Sequence, residues 1–324
     1  MQPSLQTEVN SWRRIIGLAC AGLALALLLG GCSMLRAAYN QVSTLAYWRL
    51  DSYVDFNDEQ APRVRQALDA TLAWHRRTQL PDYALLLARA QREVLNNTTP
   101  AAACAWKDEV LTRLDPLLER MLPAIAEIMV SITPEQLQHI ERRMAKSSRE
   151  FRSEYLQADA AERASEGLKR TVERAEMLYG RLEPAQRDRI AQALAASPFD
   201  AERWLVERQH RQRELLQTLS AVSTAARSGS VDRATVVVQA QAQAQAAVRV
   251  MAERMERSPR ADYRAYQERV AQTNCAIAAS IHNHATPAQR QTARAKLKAW
   301  EDDARALAVQ TNGGNGGNGA AASR

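Results

Sequence analysis

The side chains best suited to covalent or metal chemistry are scarce in this 324-residue chain, which holds four cysteines and five histidines. His282 and His284 stand two apart, so a helix would turn them in different directions, whereas paired metal ligands on a helix sit three or four apart. His-Glu-x-x-His does not occur, no glycine-flanked serine makes a nucleophile elbow, and no phosphate-binding loop is present. Aspartates and glutamates alternate with arginines as on a solvated helix face, and no two of them stand out as an acid and its base. No catalytic residue, no metal and no cofactor is therefore expected. One cluster invites a binding role. Trp74-His75-Arg76-Arg77 with Tyr83 combines aromatic faces, an imidazole and two guanidinium groups. Such a set holds an anionic ligand or a partner's carboxylate, or it ties two segments of the chain together by pairing with Asp51, Asp55 and Asp58.

Cys32 has a different chemistry. Arg13 and Arg14 precede an apolar run from Ile15 to Leu29, and the run ends in Leu29-Gly30-Gly31-Cys32. A basic start, a short apolar stretch and small residues before a cut site read as a secretory signal over residues 1–31. As a helix the run is about 22 Å long at 1.5 Å per residue, short of the roughly 30 Å hydrocarbon core of a bilayer. Its last four residues resemble the bacterial lipobox, in which small residues admit the backbone to the peptidase and the thiol accepts diacylglycerol. That resemblance implies cleavage before Cys32 and acylation of Cys32. Ser33, not aspartate, follows, which under the Gram-negative sorting pattern implies the periplasmic face of the outer membrane. Membrane lipid is then one partner, through acylated Cys32, and protein clients of the envelope are the other kind expected. Nucleic acid is not expected there despite the net charge of +7. Cys20 leaves with the signal and Cys32 is consumed by lipid, so Cys104 and Cys275 remain. In an oxidising compartment these two form a disulfide, or they stay as two buried thiols.

The elements that position these residues are legible from glycine. Of 12 glycines, four lie in the N-terminal segment and five between Gly313 and Gly319, which leaves Gly167, Gly180 and Gly229 for everything between. Strands, bulges and phosphate loops need more than that. Alanine, leucine, glutamine, glutamate and arginine dominate, all strong helix formers. The expectation is an all-α fold, an elongated multi-helix bundle of long amphipathic helices after the lipoprotein signal. Residues 32–56 form the lipidated N-terminus and a membrane-proximal segment, 57–310 the helical domain, and 311–324 a disordered Asn/Gly tail. Within 32–56, Met34, Leu35, Tyr39, Val42, Leu45, Tyr47 and Trp48 read as core, with contact of the aromatics to headgroups as the alternative. One helix is expected over roughly 101–130, bent at Pro116 or Pro123, with Cys104, Leu111, Leu118, Leu122, Ile125 and Met129 on one stripe. Gln239 to Ala246 alternates with a strand-like period of two, yet glutamine and alanine prefer helix, so helix is expected.

Four helix starts share a pattern: Asn57-Asp58-Glu59-Gln60, Thr133-Pro134-Glu135-Gln136, Glu183-Pro184-Ala185-Gln186 and Thr286-Pro287-Ala288-Gln289. Thr or Asn caps the helix, proline fits the first position, and glutamine reaches back to the cap's N–H. The irregular spacing argues against a solenoid. The copies at Ile132-Thr133 and Ala285-Thr286 resemble the Leu-Thr-x-x-Gln signature of Spy-like periplasmic chaperones, although capping alone accounts for most of the likeness. A broader resemblance rests on Tyr39-Asn40, on Asp51-Ser52-Tyr53-Val54-Asp55-Phe56 and on Trp74-His75-Arg76-Arg77…Leu80-Pro81-Asp82-Tyr83. These resemble an uncharacterised family of Gram-negative helical lipoproteins, which implies a location and a fold but no activity. A non-catalytic binding, scaffold or chaperone-like role is expected, with an envelope enzyme acting on cell-wall or lipid substrates as the alternative.

Overall fold

The computed structural model describes residues 31–228 and 233–310, and among them every regular element is helical. The first 30 residues and the Asn/Gly tail from residue 311 lie outside the described residues, and no described helix is long and apolar enough to cross a membrane. In chain order the helices are α1 (Gly31–Asn40), α2 (Val42–Val54), α3 (Gln60–Thr78), α4 (Leu80–Glu93), α5 (Pro100–Leu111) and α6 (Asp115–Ser131). They continue as α7 (Pro134–Tyr155), α8 (Ala160–Tyr179), α9 (Pro184–Ala195), α10 (Ala201–Arg227), α11 (Arg233–Glu256), α12 (Ala261–Asn283) and α13 (Pro287–Val309).

Local chemistry sets most boundaries. Thr99, Thr133 and Thr286 each accept a backbone N–H in the first turn of the helix they open, with proline next in sequence. Asp55 ends α2 at φ 59°, a left-handed conformation that aspartate tolerates better than most residues. The single helix expected over 101–130 is instead two. Helix α5 stops at Leu111, Thr112–Leu114 makes a 3₁₀ turn, and α6 begins with Pro116 in its first turn. Proline at 116 has no N–H to give to the carbonyl of Thr112, so the α-helical ladder is interrupted there. Pro123 stays inside α6. The break also takes Leu111 out of the expected stripe and leaves it exposed, while Leu122 and Met129 stay buried.

The helices gather around two apolar cores. Helices α2, α3, α6, α7, α10 and α11 enclose one, built on Ala126, Met129, Ile132, Ile140, Leu219, Val222 and Ala244. Helices α4, α8, α9, α12 and α13 enclose the other, built on Val172, Tyr179, Leu182, Ile190, Ala293 and Leu297. The Gln/Ala alternation lies within α11, where Ala240 and Ala244, one turn apart, are the residues fully buried. Alanine there lets α11 lie close against α6 and α10, and the glutamines between them face outward or sideways.

The N-terminal helices divide their apolar residues between two surroundings. Tyr47 is buried beneath the guanidinium of Arg65, 3.9 Å from the ring centroid, as expected of core. Leu35, Val42, Leu45 and Trp48 are not core. They are exposed, Trp48 at 62%, and their spacing of seven, three and three places them on one face of α1 and α2. Periodicity identifies a shared face, but it does not say what covers it. Helix α1 is held from its other side, where Arg36 Nε donates to Asp303 Oδ1 at 2.8 Å and Asp303 is buried.

Candidate functional site

The four recurrent helix starts meet in two pairs, a relation that spacing along the chain does not reveal. Gln60 and Gln136 exchange side-chain hydrogen bonds, the shorter 2.6 Å. Gln186 and Gln289 do the same, the shorter 2.7 Å. Each glutamine Oε1 also accepts the backbone N–H of its own cap residue, Asn57, Thr133, Glu183 or Thr286. Each Nε2 donates to a backbone carbonyl two residues before the partner's cap: Gln60 to Ser131, Gln136 to Asp55, Gln186 to His284, and Gln289 to Arg181. All four glutamines are buried. Two helical hairpins, α2–α3 and α6–α7, thus lock across one glutamine pair, and α8–α9 with α12–α13 repeat the arrangement. A buried amide must have partners for both its ends, which makes each pair a register pin between hairpins.

The first lock frames a cleft. Between α2, α3, α6, α7, α10 and α11 lies a cavity of about 570 Å³, within the span of small-molecule sites, about 300–1,000 Å³. Met121, Met129, Met144, Met251 and Met255 line it, five of the eight methionines in the chain. Leu50, Val64, Ile125, Ile140 and Val248 fill much of the rest. Unbranched, polarisable methionine adapts to more than one ligand shape, and binding surfaces for varied apolar partners use it heavily. The polar side chains on this wall are Tyr53 and the ion pair Arg63–Glu127, whose members are 2.7 Å apart. Tyr53, Met144, Leu215, Met251 and Met255 are shared with a second chamber of about 330 Å³ that holds Trp204, Arg208, Arg211, Arg254, Glu207 and Glu214.

Glu207 anchors the polar end. It is 2% exposed, accepts from Ser258 Oγ at 3.0 Å and from Arg260 Nε at 2.7 Å, and meets Arg211 at 3.1 Å. Burial alone would raise its pKa. Hydrogen bonds from Arg260 and Ser258, with the charges of Arg260 and Arg211, outweigh that and hold the carboxyl below the usual range. Glu207 therefore stays ionised, and its charge is consumed within the protein.

The residues singled out in the sequence lie elsewhere. His75 and Tyr83 face each other edge to face with ring centroids 5.3 Å apart, and Tyr39 shares a 2.7 Å hydrogen bond with His75 Nδ1. Arg76 Nη2 donates to Asn40 Oδ1 at 2.7 Å and its guanidinium lies over the Tyr39 ring. Burial lowers the pKa of His75 and pushes Tyr39 up to about 12, so the pair is neutral near pH 7. Trp74 is half-buried beside them and Arg77 is exposed. The expected acids take other roles: Asp51 Oδ1 accepts the N–H of Phe56, and the Asp55 carbonyl accepts from Gln136. The cluster ties α3 and α4 to the end of α1 through tyrosine and asparagine. Cys104 on α5 and Cys275 on α12 are joined by a disulfide, Cα atoms 5.3 Å apart. Cys32 is the second residue of α1. His282 is buried and lies between Tyr179 Oη at 2.8 Å and the Asn96 carbonyl at 2.6 Å, an internal strut joining α8, α12 and the end of α4. Sequence reasoning missed the cleft, because its walls come from six helices scattered over 200 residues; the crowding of methionine into residues 121–144 and 251–255 was the one available signal.

An all-helical protein pinned by buried glutamine pairs, with an apolar cleft beside one of them, is the class that fold and site define. Residues 52–228, more than half of the chain, match the model of a family of unknown function, DUF6279, and the chain belongs to that family. The matched stretch runs from α2 to the end of α10 and so carries the first glutamine pair and most of the cleft wall. No curated protein and no solved structure matches the chain.

Proposed function

We propose that the protein is a lipid-anchored lipoprotein of the outer membrane, facing the periplasm, that works by non-covalent binding of apolar or amphipathic clients. The observation that carries the reading is the methionine-lined cleft, whose wall presents dispersion contacts and almost no hydrogen-bonding group. The competing class, an envelope enzyme acting on cell-wall or lipid substrates, draws no support from that wall, since its charged pair is spent on itself. Attachment through Cys32 is supported by the apolar run that precedes α1 and by the exposed face of Leu35, Val42, Leu45 and Trp48 that continues from it. Tryptophan and aliphatic side chains on such a face suit the headgroup boundary of a bilayer. Mass spectrometry of the protein from its native membrane tests the anchor: an unprocessed, unacylated N-terminus would end that part of the proposal.

Binding is tested on the full-length chain with a neutral reporter dye, N-phenyl-1-naphthylamine, whose emission rises in apolar surroundings. Saturable binding is expected, with the affinity falling at least tenfold, about 1.4 kcal/mol, in Met251→Arg and in Leu50→Arg. These residues line the cleft from two different helices, α2 and α11, and are partly exposed, so a cation is tolerated there without unfolding the core. Uptake that does not saturate, or that ignores both substitutions while circular dichroism shows them folded, contradicts the cleft as a binding site.

A further inference from the structure

The two chambers of the cleft differ in charge, and the difference points to the ligand. In the polar chamber Glu207 and Glu214 are shared among Arg211, Arg254 and Arg260, so two carboxylates already serve three guanidinium groups. Arg208 lines the same wall as Arg211 and Arg254, and among the described residues no carboxylate pairs with it. Its Nη2 donates to Ser147 Oγ at 2.8 Å and its guanidinium lies 5.5 Å from the Trp204 ring centroid. One turn before Ser147 on α7, Arg143 lies 5.4 Å from the ring centroid of Tyr53, the tyrosine common to both chambers. No carboxylate among the described residues pairs with Arg143 either. Both side chains are half-buried, and a half-buried guanidinium group without a counter-charge is an unfavourable arrangement that an incoming anion relieves.

We propose that the cleft takes one anionic amphiphile, with its acyl chain among the methionines and its carboxylate or phosphate head against Arg208 and Arg143. This rests on the reading of the cleft as a binding site and goes beyond it by naming the ligand class. Volume agrees: at about 30 Å³ per small group, the share one water takes in the liquid, 570 Å³ holds roughly the heavy atoms of one long acyl chain. The lining argues against an extended peptide. Each peptide residue brings an N–H and a C=O that must find partners when buried, and this wall has nearly none to give. A saturated chain brings no such groups. A cationic amphiphile would meet the excess of guanidinium groups at the polar end and be repelled.

The test is competition on the full-length chain with the dye bound, each competitor kept below its micelle concentration. Oleate and lysophosphatidylglycerol are compared with oleyl alcohol, which has a chain and no charge, and with inorganic phosphate, which has a charge and no chain. The expected result is that an anionic amphiphile displaces the dye at a concentration at least tenfold lower than oleyl alcohol, and that phosphate displaces none. The better of the two heads identifies the source of the anion. Arg208→Gln combined with Arg143→Gln should remove the tenfold preference, read as the ratio of the two displacement concentrations in the double variant once circular dichroism shows it folded. Equal competition by oleate and oleyl alcohol overturns the proposal, as does a preference that survives the double substitution. Failure of the dye to bind is a different result and falls on the cleft itself.

Discussion

Replacing Gln136 by leucine should destabilise the protein by about 3 kcal/mol, because it strands several buried groups at once. The Asp55 carbonyl and the Thr133 N–H lose their side-chain partner, and the amide of Gln60 loses its neighbour. Each unsatisfied buried group costs about 1–3 kcal/mol, less where a small rearrangement or water restores a bond. Gln60→Leu should cost a similar amount for the mirrored set of partners. The informative measurement is the double variant. With both amides gone, the cost should fall short of the sum of the singles by about 1–2 kcal/mol, since the stranded partner is no longer there to be counted twice. Gln186 and Gln289 should show the same coupling, while Gln136→Leu and Gln289→Leu, one from each pair, should add. Urea unfolding of the four single and three double variants checks this, and additivity within each pair would contradict the lock between hairpins.

The second large effect is expected from the disulfide. Helix α5 runs along α12 but buries no residue fully, so apolar packing contributes less there than in the two cores. Its other ties are surface contacts: the Arg89–Glu109 ion pair, and Trp106 Nε1 donating to Glu93 at 2.7 Å. Exposed pairs of this kind contribute less than about 1 kcal/mol each. The bridge closes a loop with a sequence separation of 171 residues. In the chain-entropy account a loop of that size stabilises the folded state by about 5 kcal/mol. Cys104→Ser with Cys275→Ser should therefore lower the unfolding midpoint by many degrees and strip hydrogen-exchange protection from α5 first. Dye binding in the cleft, built from other helices, should persist below the new midpoint. An unchanged midpoint on full reduction would contradict this account of the bridge.

Much of the helical architecture was legible in the sequence for physical reasons that act locally. Three glycines across the middle of the chain, threonine and proline at helix starts, and leucine or alanine every three or four residues all act within a turn or two. Even the Gln/Ala alternation resolved correctly once intrinsic preference was weighed above period. The site was less legible because its determinants are tertiary. Gln136 reads as an N-cap partner of Thr133, and it is one, yet its other bonds reach Asp55 and Gln60, 81 and 76 positions away. Trp48 reads as core because apolarity does not report whether another helix arrives to cover it. Trp300, at helical spacing from Leu297 and Ala304 on α13, is likewise left 39% exposed while those two are buried. Of the two readings open for His75 and Arg76, the tie between segments would have drawn on nearby aspartates, whereas their hydrogen bonds run to Tyr39 and Asn40. Charge pairing is the natural inference from sequence, whereas the fold supplies neutral partners that sequence distance hides.

The central claim is that the methionine cleft is a binding site, and the methionines themselves can report on it. Carbon-13 labelled methyl groups give each methionine its own NMR signal, and adding a long-chain amphiphile such as oleate should move five of them: Met121, Met129, Met144, Met251 and Met255. Met177, 61% exposed on α8 in the other half of the protein, should stay in place as an internal control. Five unmoved cleft methyls, or a shift of Met177 as large as theirs, would contradict the account.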